Sequence, residues 1–123
     1  MINLAEQLKI GVVGPCASGK TTLIAGLNQH GYWGKHIAQE HSYIPDMWSR
    51  LTRPDVLIYL DVSYLVSLQR RDMNWTEKEF QEQVFRLRDA HDKADLVVPT
   101  DPLTPQQVLD RVLDYLENEV GRR

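Results

Sequence analysis

The feature that most constrains this chain is residues 14–21, which read GPCASGKT and fit the pattern G-x-x-x-x-G-K-[ST]. In a loop of this kind the backbone N–H groups converge on phosphate oxygens, and the two glycines allow the tight turn that brings them together. The lysine places positive charge against the phosphates, and the threonine offers its hydroxyl to Mg²⁺. Because the pattern acts only between a strand and a helix, it predicts a strand–loop–helix unit here.

The pattern predicts a continuous phosphate-binding segment, made up of Gly14, Pro15, Cys16, Ala17, Ser18, Gly19, Lys20, Thr21 and Thr22. Within it, Lys20 is the candidate for the charge on the β- and γ-phosphates and Thr21 is a candidate metal ligand. The expected ligand is ATP or GTP with Mg²⁺. Cys16 stands at a variable position of the pattern. The helix end would activate its thiol, but we interpret it as a small spacer and not as a nucleophile.

Short apolar runs predict a small parallel sheet. Residues 10–13, 56–60 and 96–98 are rich in β-branched side chains and almost unbroken by polar ones, as in strands that are covered on both faces. Residues 36–39 are a weaker fourth candidate, suited to a less covered position.

Helical signals lie between these runs. A helix is predicted over residues 21–30, ending at Gly31, and a short one over residues 45–51. Further helices are predicted to begin at Ser63, over residues 76–91, and at Thr104. The order β-α-β-α-β-α-α-β-α implies a three-layer α/β/α fold around a parallel sheet of about four strands. We expect one domain over residues 1–123.

Composition excludes several classes of partner. The chain has 123 residues with 14 Lys+Arg and 17 Asp+Glu, a net charge of −3, which argues against binding to nucleic acid or to an anionic membrane. The single cysteine cannot form an internal disulfide, which fits a reducing compartment. Residues 1–9 carry Glu6 where a signal peptide would be apolar, and no run is long enough to span a bilayer. A cytoplasmic location is expected.

Three segments carry a family resemblance: residues 9–14, which lead into the phosphate loop; residues 54–62, followed by Arg70 and Arg71; and residues 94–98, followed by Asp101. On these segments the chain resembles P-loop nucleoside and nucleotide kinases, thymidylate and deoxynucleoside kinases in particular. The resemblance implies that Arg70 and Arg71 are lid arginines that reach the transferring phosphate. Positive charge at that point stabilises the negative charge of the phosphoryl oxygens in the transition state. The ordinary alternative is a solvated helix end.

Two carboxylates compete for the metal. Asp61 ends an apolar run, which places it at the ligand edge of a parallel sheet. Glu40 ends the weaker strand, in a segment that resembles the Asp/Glu-Arg signature of these kinases, although His41 stands where the family has arginine. The apolar pattern favours Asp61 and the resemblance favours Glu40 as metal ligand and catalytic residue, so both remain candidates.

The other chemistry-bearing residues give weaker signals. His30, His36 and His91 lack metal-ligand spacing to one another or to Cys16, so helix-end or surface roles are expected. The sequence also lacks the D-x-x-G and N-K-x-D motifs of a regulatory GTPase.

Because the chain is short, the sequence does not decide which reaction the protein carries out, or whether it carries out one. Only residues 41–55 separate Glu40 from the strand that begins at Val56, which leaves little chain to enclose an acceptor, and the lid is reduced to residues 72–75. The nucleotide base is expected near residues 99–101. The leading hypothesis is a small phosphotransferase that moves the γ-phosphate to a small acceptor. The alternatives are a non-catalytic nucleotide-responsive binding module and a weak NTPase that needs a partner, including a homo-oligomer that completes the acceptor site.

Overall fold

The computed structural model describes residues 8–71 and 74–120. The strands in these ranges are β1 (Lys9–Val13), β2 (Trp33–His36), β3 (Val56–Asp61) and β4 (Leu96–Pro99). The α-helices are α1 (Lys20–Gln29), α2 (Met47–Thr52), α3 (Tyr64–Arg70), α4 (Glu77–Arg86), α5 (Arg88–Lys93) and α6 (Pro105–Tyr115). A 3₁₀ turn (Gln39–His41) follows β2, and a π-helical turn (Leu116–Val120) continues α6.

The four strands form one parallel sheet in the order β2-β1-β3-β4. Ile10 in β1 lies opposite Gly34 of β2 on one side and Val56 of β3 on the other. The chain leaves β1 toward β2 but leaves β3 toward β4, so the connections diverge between β1 and β3. In open parallel sheets, ligands bind at the carboxyl ends of the strands beside such a point. The α/β class and the small parallel sheet are confirmed.

Alternating residues along β1 and β3 face two separate hydrophobic clusters. Ile10, Val12 and Ile58 contribute to the cluster that includes Leu27 of α1 and Val112 of α6. On the opposite face, Val13, Leu57 and Tyr59 join a smaller cluster with Leu87 and Ala90, against which Trp48 of α2 also packs. Since both faces of the central strands are buried, β1 and β3 read as nearly unbroken apolar runs in the sequence.

The predicted helix starts are confirmed at three positions. The side chains of Ser63, Thr76 and Thr104 accept hydrogen bonds from backbone N–H groups two or three residues into α3, α4 and α6. Thr76 and Thr104 also form complete capping boxes with Glu79 and Gln107. Each cap satisfies donors that a helix otherwise leaves free in its first turn.

Three predicted boundaries are wrong. The short helix expected over residues 45–51 begins at Met47, after the N-cap residue Asp46, so Pro45 lies outside it. The strand expected over residues 36–39 lies at Trp33–His36, because the Gly31 turn returns the chain to the sheet at once and Trp33 pairs with Lys9. The helix expected over residues 76–91 breaks at Leu87, whose N–H donates to the carbonyls of both Gln83 and Val84. The chain turns there into α5, which packs on β3.

Two expectations concern segments that the structure covers only in part. In the predicted lid, Asp72 and Met73 lie outside the described residues, and so does most of residues 1–9. None of the helices in the described part of the chain combines the length and the apolar character that a bilayer crossing requires.

Candidate functional site

Residues 14–19 connect β1 to α1 in a turn that needs left-handed backbone conformations. The φ angles are +156° at Gly14, +67° at Ala17 and +99° at Gly19. A Cβ at Gly14 would collide with the carbonyl oxygen of Leu60 and would lie 2.7 Å from Ser18 Oγ. The first glycine of the pattern is therefore required by its close approach to the backbone of β3, at the point where the sheet connections diverge.

Gly14→Ala is expected to lower the free energy of unfolding by about 3 kcal/mol, because the new methyl group meets fixed backbone at an unfavourable φ. Equilibrium urea unfolding measures the change. Gly31→Ala is the matched control, since Gly31 has φ +83° and open space at its Cβ position. Backbone strain alone should cost that variant about 1–2 kcal/mol. Equal losses in the two variants would contradict the proposed collision with β3.

Lys20 turns its side chain back into the loop. Its Nζ donates to the carbonyl oxygens of Gly14 at 2.6 Å and Pro15 at 3.1 Å. It also lies 2.8 Å from Glu40 Oε2, and both side chains of this ion pair are more than nine-tenths buried. The ammonium group is thus held at the mouth of the loop with all three of its donors engaged.

Two buried polar atoms beside this ion pair have no hydrogen-bond partner among the described residues: Ser18 Oγ and Glu40 Oε1. An unsatisfied buried polar atom is costly, and such atoms are rare in native structures. In addition, α1 begins at Gly19 without a side-chain cap. The N-terminal N–H groups of α1 are therefore available to an anion. The site combines unsatisfied oxygens, open N–H donors and a buried ammonium group.

Glu40 reaches the loop because β2 lies directly beside β1. The N–H of Ile37 still donates to Val12 O at 3.1 Å, and the 3₁₀ turn then curls over the end of β1. Gln39 fixes this turn: its Nε2 donates to the carbonyls of Ile44 and Arg86, and its Oε1 accepts from the N–H of Trp48. The sequence predicted that Glu40 ends a strand. In the structure Glu40 lies in a 3₁₀ turn instead.

Asp61 lies elsewhere at the same sheet edge. Its side chain is exposed, and its backbone carbonyl accepts from Thr100 N and Thr100 Oγ1 at 2.9 and 2.6 Å. Asp61 lines two cavities, one with Tyr59 and His91 on the α5 side of β3 and one with Pro99 and Asp101 on the α4 side. Of the two candidate metal ligands, the structure brings Glu40 to Lys20 and places Asp61 outside that contact.

The charges of both carboxylates, Asp61 and Glu40, affect the pKa of Tyr59. Burial, and then the negative charges of Asp61 and Glu40, raise the pKa of the Tyr59 phenol above its ordinary value. The ring packs edge-on against His91 at 4.7 Å between centroids. The hydroxyl therefore remains protonated at neutral pH and adds no charge beneath the loop.

Arg70 connects the loop to the end of β4. Its Nη1 donates to Ala17 O at 3.2 Å and to Thr100 Oγ1 at 2.8 Å, and its Nη2 donates to Thr100 O at 2.7 Å. Arg71 is exposed beside it, and both arginines line a cavity of about 390 Å³. The wall of this cavity is completed by residues of the loop, α1 and the start of α6: Ala17, Ser18, Gly19, Thr22, Leu23, Thr100, Leu103, Pro105 and Val108.

The expected base-binding segment, residues 99–101, divides between two cavities. Thr100 lines both of them, and Thr22 joins it in the cavity beside residues 14–19. Pro99 and Asp101 line the other cavity, on the α4 side, and Asp101 Oδ1 accepts from the N–H of Ser63 at 2.9 Å. Thr21, the candidate metal ligand, is exposed in the first turn of α1.

Sequence reasoning missed Gln83. From α4 its Oε1 accepts from the N–H of Cys16 at 3.0 Å, and its Nε2 donates to Cys16 Sγ at 3.2 Å. These two bonds hold the loop against α4. The partners are 67 residues apart, so spacing gives no signal, and the only hint is a polar residue on the inner face of an amphipathic helix.

No protein-family model matches the chain, and no curated protein matches it in sequence. The function is therefore argued from the loop pattern and from the geometry around Lys20.

Proposed function

We propose that this chain binds a nucleoside triphosphate with Mg²⁺ and acts as a small kinase-like phosphotransferase. One observation carries the proposal: the Lys20 ammonium group is buried in a glycine-dependent loop beside two unsatisfied polar atoms, Ser18 Oγ and Glu40 Oε1. Buried polar atoms without partners are expected where a polar ligand completes their hydrogen bonds. A triphosphate supplies acceptors for the Ser18 hydroxyl and the N–H groups of α1, and its charge would replace the Gly14 and Pro15 carbonyls as partner of the Lys20 ammonium group.

The residues present fit Mg²⁺, which prefers oxygen ligands and keeps several of its waters. The Thr21 hydroxyl and the free oxygen of Glu40 would hold the hydrated ion. When bound, the ion neutralises negative charge on the phosphates. Lys20 lies 2.8 Å from Glu40 Oε2, so one buried carboxylate orients both the ammonium group and the metal side of the site.

The cavity of about 390 Å³ beside the loop is the proposed place for the nucleoside. It opens between α1 and the start of α6, where Leu103 and Val108 provide apolar wall and Thr100 provides polar atoms. Its volume falls in the range of small-molecule sites. The γ-phosphate would then lie toward Glu40, and the proposed reaction moves it to a small acceptor.

One observation favours a non-catalytic, nucleotide-responsive module as the second candidate. The Arg70 guanidinium is already engaged by Thr100 and by the Ala17 carbonyl, so it fastens the loop as it stands. Between Glu40 and Val56 the described chain offers only α2, a six-residue helix, to enclose an acceptor. A weak NTPase that needs a partner is a further form of this second proposal.

Calorimetric titration with ATP, GTP, the two diphosphates and adenosine tests the proposal. We expect the triphosphates to bind and adenosine to bind far more weakly, because the phosphates provide most of the contacts. Lys20→Ala should weaken triphosphate binding by about 1.5–3 kcal/mol, the value of a charge-assisted hydrogen bond, which is roughly 10- to 150-fold in Kd.

Lys35→Ala is the matched control. It removes the same charge from β2 at an exposed position beside Trp33, and triphosphate affinity should stay unchanged. Urea unfolding of both variants checks that they fold. Equal affinities of wild type and a folded Lys20→Ala variant would overturn the phosphate-loop assignment.

A further inference from the structure

Cys16, Glu40 and His41 meet on the side of the loop that faces the 3₁₀ turn. A Cys16 sulfur, a Glu40 carboxylate oxygen and a His41 ring nitrogen all lie within 4.8 Å of one another. The Glu40 side chain is 3% exposed and that of His41 is 61% exposed. The cluster thus combines a buried carboxylate with an exposed imidazole, at a place where the sequence shows no metal-ligand spacing.

The Glu40 carboxylate provides a second reason to expect a cation at this cluster. Its Oε2 lies 2.8 Å from Lys20 Nζ and 3.9 Å from His41 Nε2, whereas its buried Oε1 has no hydrogen-bond partner in the part of the chain that the structure describes. One carboxylate can therefore keep its ion pair and still offer an oxygen to a cation. The unsatisfied oxygen is a reason to expect a ligand on this side of the loop.

The chemistry of the three donors selects the cation. A thiolate, an imidazole and a carboxylate together suit Zn²⁺ and similar borderline ions, whereas Mg²⁺ avoids sulfur. Bond lengths of about 2.0–2.3 Å place the ligand atoms of a tetrahedral zinc site roughly 3.5 Å apart. Glu40 Oε2 and His41 Nε2 are already 3.9 Å apart, and the His41 side chain is 61% exposed.

Gln83 already provides outer support for the sulfur. Its Nε2 donates to Cys16 Sγ at 3.2 Å, and its Oε1 holds the N–H of the same residue. A hydrogen bond to a ligating sulfur orients it and stabilises its charge.

We propose that Cys16, Glu40 and His41 bind a divalent cation of the Zn²⁺ class through three protein ligands, with the fourth position open to water. A sulfur–metal bond forms while the thiol proton leaves to the solvent, with no change of oxidation state. This site differs from the proposed Mg²⁺ position in its thiolate and imidazole ligands, but the two share the free oxygen of Glu40, so that oxygen serves one cation at a time. The site needs no nucleotide, so it stands whether or not the proposed function holds.

Titration of the full chain with Co²⁺ in the absence of nucleotide tests the proposal. Cobalt bound through a thiolate gives a sulfur-to-metal charge-transfer absorption in the near ultraviolet, and tetrahedral geometry intensifies its visible bands. We expect both signals to saturate at one ion per chain and to disappear when Zn²⁺ is added.

Variants assign the ligands. Cys16→Ser should abolish the charge-transfer absorption, and His41→Ala should weaken Zn²⁺ binding at least 10-fold, the scale on which even outer-shell support of a metal acts. His36→Ala, which removes an exposed histidine from neighbouring β2, should leave both unchanged. Circular dichroism and urea unfolding identify any variant that fails to fold.

Any of three results would overturn the proposal. One is wild-type protein without thiolate-to-cobalt absorption and without Zn²⁺ binding. The second is a folded Cys16→Ser variant that retains the wild-type absorption, and the third is a folded His41→Ala variant whose Zn²⁺ affinity equals that of His36→Ala.

Discussion

Glu40→Ala is expected to lower the free energy of unfolding by about 3–5 kcal/mol, because it leaves the buried Lys20 charge without its carboxylate partner. The two side chains are 8% and 3% exposed, so water cannot replace the lost contact without a rearrangement of the loop. The carbonyls of Gly14 and Pro15 still accept from Nζ, but they carry no compensating charge. Equilibrium urea unfolding gives the change directly.

Asp46→Ala is the control for this loss. Asp46 pairs with Arg50 at 3.0 Å, but both side chains are largely exposed, and such a surface pair contributes about 0.2–1 kcal/mol. The double variant Lys20→Met with Glu40→Ala should lose less stability than the two single losses combined, since it buries no unpaired charge. If Glu40→Ala costs no more than Asp46→Ala, the ion pair is not buried in solution.

Glu40→Gln is expected to slow single-turnover release or transfer of the γ-phosphate by about 10²–10³-fold, the scale on which one group that stabilises transition-state charge acts. The amide keeps the shape of the side chain but removes the charge that would hold the metal. The measurement uses γ-labelled ATP or GTP with Mg²⁺ and excess protein, so that binding does not limit the rate.

The Asp61→Asn variant tests which of the two carboxylates, Glu40 or Asp61, acts in the proposed reaction. Asp61 lies in the cavity with Tyr59 and His91, so this variant should keep the wild-type rate within about two-fold. A large loss in Asp61→Asn with little loss in Glu40→Gln would reverse the assignment. Tight nucleotide binding by wild type without any phosphate release or transfer would contradict the phosphotransferase and favour the binding module.

The local parts of this structure could be predicted from the sequence. Ser63, Thr76 and Thr104 act within their own first helical turns, so the residues that signal each helix start are neighbours in the chain. The buried strands β1 and β3 are apolar on both faces, which makes them visible without knowledge of their partners.

The contacts that form the site depend on strand order, which a single sequence does not reveal. Glu40 meets Lys20 because β2 pairs with β1, whereas Asp61 is the last residue of β3 and lies outside that contact. Both carboxylates follow candidate strands, so the apolar pattern could not choose between them. Gln83 and His41 reach Cys16 across the fold, and such tertiary contacts carry no fixed spacing.

Side chains of three other elements hold the loop in place. Glu40 of the 3₁₀ turn pairs with Lys20, Arg70 of α3 donates to the Ala17 carbonyl, and Gln83 of α4 accepts from the N–H of Cys16. The conformational entropy of residues 14–19 is therefore lost when the chain folds and not when a ligand arrives. A phosphate group bound as we propose would meet backbone N–H donors already in position, so little of its binding free energy would be spent on ordering the backbone. The shape of the loop is thus set in large part by side chains that lie far from it in the sequence.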